Sequence, residues 1–136
     1  MPGRKTSVSS VRLHGFAPVE LSLTQVCDGA VIAWDTKRFA LAVINMSAIA
    51  GANGVIGARD SALDIADWLA FGVGHEVTLL AGGTLQRRRL AALIWPWLSF
   101  ESVDEPGGRG SAFEITWSSI QAVWITADGL TECLAG

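Results

Sequence analysis

The chain has 136 residues, of which 50% are hydrophobic and 17% charged, with a formal net charge of -3 and a sequence pI near 5.2. That length fits one domain able to bury a core without a disulfide or metal staple. The acidic balance disfavours nucleic-acid binding, which asks for a basic face, and the longest apolar run, 90–98, is far short of the ~20 residues of a membrane-spanning helix.

Residues 1–10, "MPGRKTSVSS", are polar and offer little to bury, so they are expected to form a flexible arm ahead of a single β-rich domain over 11–136. The arm has no apolar stretch of the kind a signal peptide carries, and synthesis in a cytoplasm is expected. "VRLHGF" and "VELSLTQV" alternate apolar and polar residues, which predicts strands with Val19, Leu21 and Leu23 on one face. Cys27-Asp28-Gly29 and Asp35-Thr36-Lys37 read as turns around the short apolar strand "AVIAW". "RFALAVINM" places Phe39, Leu41 and Val43 on one face and Ala40, Ala42 and Ile44 on the other, as in a strand covered on both sides.

Over 48–58 the chain combines Gly51, Gly54 and Gly57 with Ile49, Val55 and Ile56. This is too apolar for a plain linker and predicts a long loop that touches something. It has neither a GK[ST] nor a G-x-G-x-x-G spacing, so phosphate binding is not expected. A helix is predicted over about 61–71, capped by Asp60 or Ser61, with Leu63, Ala66, Leu69 and Ala70 as its apolar stripe and Gly72 and Gly74 ending it. Gly82-Gly83 then marks a hairpin. A long strand is expected from about Leu85 to Val103, followed by the turn "DEPGGRGS" and a strand over "AFEITWSSIQAVWIT" with a bulge at Ser118-Ser119. The fold class is therefore mostly β (α+β): an antiparallel sandwich or barrel with one packed helix.

Chemistry-bearing patterns are sparse. The two histidines, His14 and His75, and the two cysteines, Cys27 and Cys133, match no metal spacing. The cysteines are expected as free thiols. No G-x-S-x-G elbow is present, and Glu101 and Glu114, which could approach across a hairpin, are expected to be solvated with Arg109 nearby. Arg87, Arg88 and Arg89 are consecutive in a predicted strand and cannot all line one groove. The expectation is a non-enzymatic chain with no cofactor.

Six tryptophans and no tyrosine stand out. "LIWPWLSF" sets Trp95 and Trp97 on one parity, with Leu98 and Phe100 on the other. Pro96 cannot donate to a strand ladder, so this stretch is expected at an edge or bulge. An apolar edge is an aggregation hazard unless a partner covers it. Trp95, Trp97, Ile49, Val55 and Ile56 are accordingly the candidate assembly contacts.

The second half also resembles a known group. The helix 61–71, the hairpin phrase G-x-x-H-E-x-T-L-L continuing to Leu85, the strand Leu93–Val103 and the closing Phe113-x-Ile115-x-Trp117 together look like the small β-rich domains of tailed-phage tail proteins, of the distal-tail, tail-tube and baseplate-hub group. The resemblance implies a structural subunit of a homo-oligomeric ring beside neighbouring structural proteins, located in the virion tail after synthesis. It implies no catalytic residues, and no nucleic-acid partner or membrane insertion is expected. The apolar loop would then resemble the hairpins by which such rings reach a neighbour. The alternative is a β-barrel that binds a small ligand among its aromatic side chains.

Overall fold

The computed structural model describes residues 9–53, 59–103 and 112–126. Its strands are β1 (Ser9–Leu13), β2 (Val19–Cys27), β3 (Ala30–Asp35), β4 (Ala40–Asn45), β5 (Ile49–Asn53), β6 (Arg59–Asp60), β7 (Glu76–Ala81), β8 (Thr84–Ile94), β9 (Trp97–Glu101), β10 (Phe113–Thr116) and β11 (Ala122–Thr126); one helix, α1 (Ile65–Ala70), lies between β6 and β7. The strands form a single sheet in the order β10-β9-β8-β7-β11-β4-β3-β2-β1-β5, with β6 added beside β2. Every pairing is antiparallel except β2–β6.

Two apolar layers explain how one sheet makes a domain. The central strands β3, β4 and β11 feed both: Ile32, Val43 and Val123 enter one layer, while Val31, Ile44 and Trp124 enter the other. The first layer is completed by Leu90, Leu98 and Phe100 of β8–β9 with Ile65 and Leu69 of α1. The second is completed by Val11, Leu13, Val19 and Leu21 of β1–β2. The two ends of the sheet therefore cover opposite faces of its middle. This is the sandwich form of the expected mostly-β class. Among the described residues β10 and β5 do not pair, so the sheet is not a closed barrel.

The doubly apolar reading holds for Ala40–Ile44, because β4 lies between two covered faces, but Phe39, expected beside Leu41 and Val43, precedes the strand with positive φ and is exposed. Gly82 and Gly83 form the expected turn, with Ala81 opposite Thr84 and φ of 59° and 77°, values that glycine adopts without steric cost. Gly72, just past α1, is tightly packed: a Cβ there would lie 3.1 Å from Val77 Cγ1 and 3.2 Å from Ile125 Cγ1, so both side chains would have to give by a few tenths of an ångström.

Several boundaries differ from expectation. The helix is shorter than 61–71. Asp64, not Asp60 or Ser61, caps it, in a reciprocal box with Asp67. Ser61 instead accepts Trp68 Nε1–H at 2.8 Å, which holds the segment before α1 against the helix. The loop expected over 48–58 begins as β5, paired with β1. Val55 and Ile56 lie outside the described residues, as do residues 1–8 of the expected arm; Ser9 and Ser10 already belong to β1.

Leu23 leaves the face it was expected to share with Val19 and Leu21. An extra residue between Ser22 and Gln25 bulges β2 and turns Leu23 out. The strand expected over Leu85–Val103 is a hairpin, β8–β9, that turns at Trp95-Pro96 through a cis peptide. The apolar run continues through the turn, so hydrophobicity alone did not mark it. Finally, "AFEITWSSIQAVWIT" is not one bulged strand. β10 sits at one end of the sheet order and β11 in its middle, joined by a 3-10 turn at Trp117–Ser119.

Candidate functional site

The β8–β9 turn gathers three exposed apolar side chains. Ile94 is 76% exposed, Trp95 44% and Trp97 49%, beside β10 at the end of the sheet order. Its construction follows from the register. Leu93 pairs with Leu98 and Leu98 with Ile115, a row that faces the first apolar layer. The next row, Ile94–Trp97–Thr116, has the opposite parity and so faces outward. Outward again are Ser99 and Glu114, whose side chains meet at 3.1 Å.

Trp95 does not share a face with Trp97, because it lies in the turn rather than in a strand. It packs over Trp117 instead, with ring centroids 6.2 Å apart. Trp117 is buried and is held from two sides. Its N–H donates to Pro96 O at 2.9 Å, and its carbonyl accepts Asn45 Nδ2–H at 3.0 Å. Asn45 is itself buried, spans to Ile120 O at 3.0 Å, and accepts from Ser47 N and Oγ. One buried amide thus ties β4 to the crossover that supports the tip. The turn is a fixed projection with aromatic surface above a packed base.

The other candidate contacts divide. Ile49 is half-buried against the second apolar layer at the start of β5, and pairs with Leu13. Its side chain is already used by the core. Nothing described bears on Val55 and Ile56.

The polar candidates are placed as ordinary surface and ion-pair groups. Arg87 meets both Glu76 carboxylate oxygens at 2.6 and 2.8 Å, and Arg89 lies 3.6 Å from Glu101, while Arg88 points the other way, its guanidinium 5.8 Å from the Phe113 ring. The alternation expected of three strand arginines is what separates them. Glu101 and Glu114 do not form a carboxylate pair: the first faces Arg89 and the second Ser99. Arg109 and Cys133 lie outside the described residues. Among the described residues, no group of three or more His, Cys, Asp or Glu is placed to hold a metal ion, and no helix is long and apolar enough to cross a membrane.

Two clefts among the described residues bear on these groups. One, of about 550 Å3, is lined by Cys27, Asp28, Asp60, Ser61 and Asp64 among others. Burial pushes the Cys27 thiol pKa up, and the carboxylates of Asp64 and Asp28 push it the same way. A raised pKa leaves little thiolate at neutral pH, so this cysteine is a poor nucleophile. In a Cys133→Ser background, alkylation of Cys27 by iodoacetamide is expected to rise only above the ordinary thiol range of about 8.5. A midpoint at or below that range contradicts the placement. The second cleft, of about 530 Å3, lies over Trp124 between Arg38 and Arg87. Both arginines are already paired, with Asp35 and Glu76.

Sequence reasoning missed a second exposed apolar group. Leu23 and Phe39 are 77% and 65% exposed, and they are the only non-glycine residues with positive φ among the described residues, at 53° and 55°. A side chain in that conformation costs about 1–2 kcal/mol. Glycine at position 23 would remove that cost while adding about 0.5–1 kcal/mol of chain freedom in the unfolded state. Leu23→Gly is therefore expected to raise stability by roughly 0.5–1 kcal/mol in urea unfolding at high dilution. A loss of stability would mean that Leu23 packs within its own chain.

Comparison with protein-family models, curated proteins and solved structures finds no match for this chain.

Proposed function

We propose that this protein is a non-enzymatic assembly subunit, and that the Ile94–Trp97 tip with the neighbouring edge of β10 is a contact surface between subunits. The observation that carries the reading is the outward row of Ile94 and Trp97 on a turn braced by Trp117. Large apolar side chains on a rigid projection lose little freedom on docking, and tryptophans of this kind dominate interface energies. Outer N–H and C=O groups of β10 add the capacity to pair with another chain, since no described strand lies beyond it.

The finer form of the proposal is a ring subunit of a phage-like tail or baseplate. It rests on the sequence resemblance carried by 61–71, the G-x-x-H-E-x-T-L-L phrase and Phe113-x-Ile115-x-Trp117. Negative-stain images of the purified protein should then show closed rings of uniform diameter.

Amide hydrogen exchange tests the surface itself. Exchange over 94–97 and Phe113–Thr116 is expected to slow as protein concentration rises, while exchange at the distant Gly82-Gly83 turn stays constant. Uniform exchange at all concentrations would remove the tip from any contact. The ligand-barrel alternative receives no support from the described residues, among which the sheet does not close and side chains fill both layers.

A further inference from the structure

Leu23 and Phe39 occupy a region that stands apart from the tip. Phe39 packs edge-on to Trp34 at 5.1 Å, and Ser22, next to Leu23, is the register partner of Trp34. Glycine or asparagine would fit both positive-φ positions more easily, yet the chain places a leucine and a phenylalanine there and leaves them in solvent. Local backbone preference therefore does not explain these residues, and their own cores do not use them.

The location of the two groups is set by β4. Phe39 immediately precedes Ala40, the first residue of that strand. The tip is anchored to Asn45, its last residue, through Trp117 and Pro96. The groups thus belong to opposite ends of a six-residue strand, about 17 Å apart along it at ~3.3 Å per residue. Their flanking charges are opposite. Lys37, two residues before Phe39, is exposed and lies a loose 4.0 Å from Glu20. Glu114, beside the tip, is exposed and bonded only to the neutral Ser99 among its described hydrogen-bond partners.

A two-fold contact brings one patch against its own copy, whereas two different complementary patches give a head-to-tail contact that closes into a ring or extends into a filament. We infer that the partner of the Ile94–Trp97 tip is the Leu23–Phe39 surface of a second copy of this chain, with Glu114 facing Lys37 across the contact. The inference rests on the assembly reading above and specifies its geometry.

The test uses two variants of the full chain: a head variant, Ile94→Ser/Trp97→Ser, and a tail variant, Leu23→Gly/Phe39→Asn. Masses are read by light scattering after size exclusion, with thermal melts as the check on folding. Each variant alone is expected to be monomeric. Mixed in equal amounts, they should form a species of two chains and no larger, because one intact head meets one intact tail and the remaining faces are both disabled.

A tail variant that assembles like wild type overturns the inference, as does a mixture that stays monomeric while wild type assembles. A wild type that is monomeric at every concentration overturns the assembly reading itself, and the inference with it. Should the tail variant fail to fold, Lys37→Glu decides: it is expected to weaken assembly about threefold at low salt, with Glu114→Lys on the same chain restoring it. An unchanged assembly in Lys37→Glu would overturn the pairing.

Discussion

Asp35→Ala is expected to destabilise the fold by about 3 kcal/mol, lowering Tm by about 10 °C. Asp35 is fully buried at the end of β3 and its carboxylate has four donors. Oδ1 accepts the Lys37 and Arg38 N–H groups at 3.0 and 2.9 Å, which closes the β3–β4 turn. Oδ2 accepts Trp124 Nε1–H at 2.9 Å and Arg38 Nη1 at 3.2 Å. Arg38 in turn lies over the rings of Phe16 and Trp124, at 5.3 and 5.0 Å from their centroids. Alanine would leave the indole N–H of the buried Trp124 without an acceptor and the turn without its clasp. The cost sits at the lower end of the range for breaking a buried pair, because the Arg38 side chain keeps 35% exposure and can be rehydrated. Asp35→Asn keeps one acceptor oxygen and should fall between wild type and alanine. Chemical unfolding measures both; a loss under 1 kcal/mol in the alanine variant would show that the cluster does not stabilise the second layer.

Ile94→Ser/Trp97→Ser is expected to act on assembly and hardly on folding. Both side chains face outward, so the monomer should change by no more than about 0.5 kcal/mol. In a contact, truncation of a central tryptophan costs about 2 kcal/mol or more, which is roughly thirtyfold in affinity. Trp95→Ser makes the contrasting case, since Trp95 covers Trp117 and its loss exposes part of the first layer. Stability should fall for Trp95→Ser and hold for the Ile94/Trp97 pair. Equal losses in both would mean that the whole tip is ordinary core.

Much of this fold could be read from local pattern. Parity along Ala40–Ile44 placed β4 between two layers, and Gly82-Gly83 placed a hairpin. Features set by distant partners were not readable. The turn at Trp95-Pro96 lies inside a continuous apolar run, where Pro96 argued for an edge but not for a reversal. The bulge that expels Leu23 interrupts a strand whose alternation looks regular. The crossover after β10 depends on Asn45, more than seventy residues away, donating its side-chain amide to the Trp117 and Ile120 carbonyls. For the candidate site, Trp95 and Trp97 were legible as a pair. Their division between Trp117 and the outward row was not, and neither was the exposure of Phe39, because both depend on where the chain turns.

The most direct test of the assembly claim is the mass of the wild-type protein by light scattering over a hundredfold concentration range. The protein is expected to pass from its 14.4 kDa monomer to a defined multiple of that mass, with Ile94→Ser/Trp97→Ser folded and monomeric throughout. A wild type that stays at the monomer mass at every concentration would contradict it.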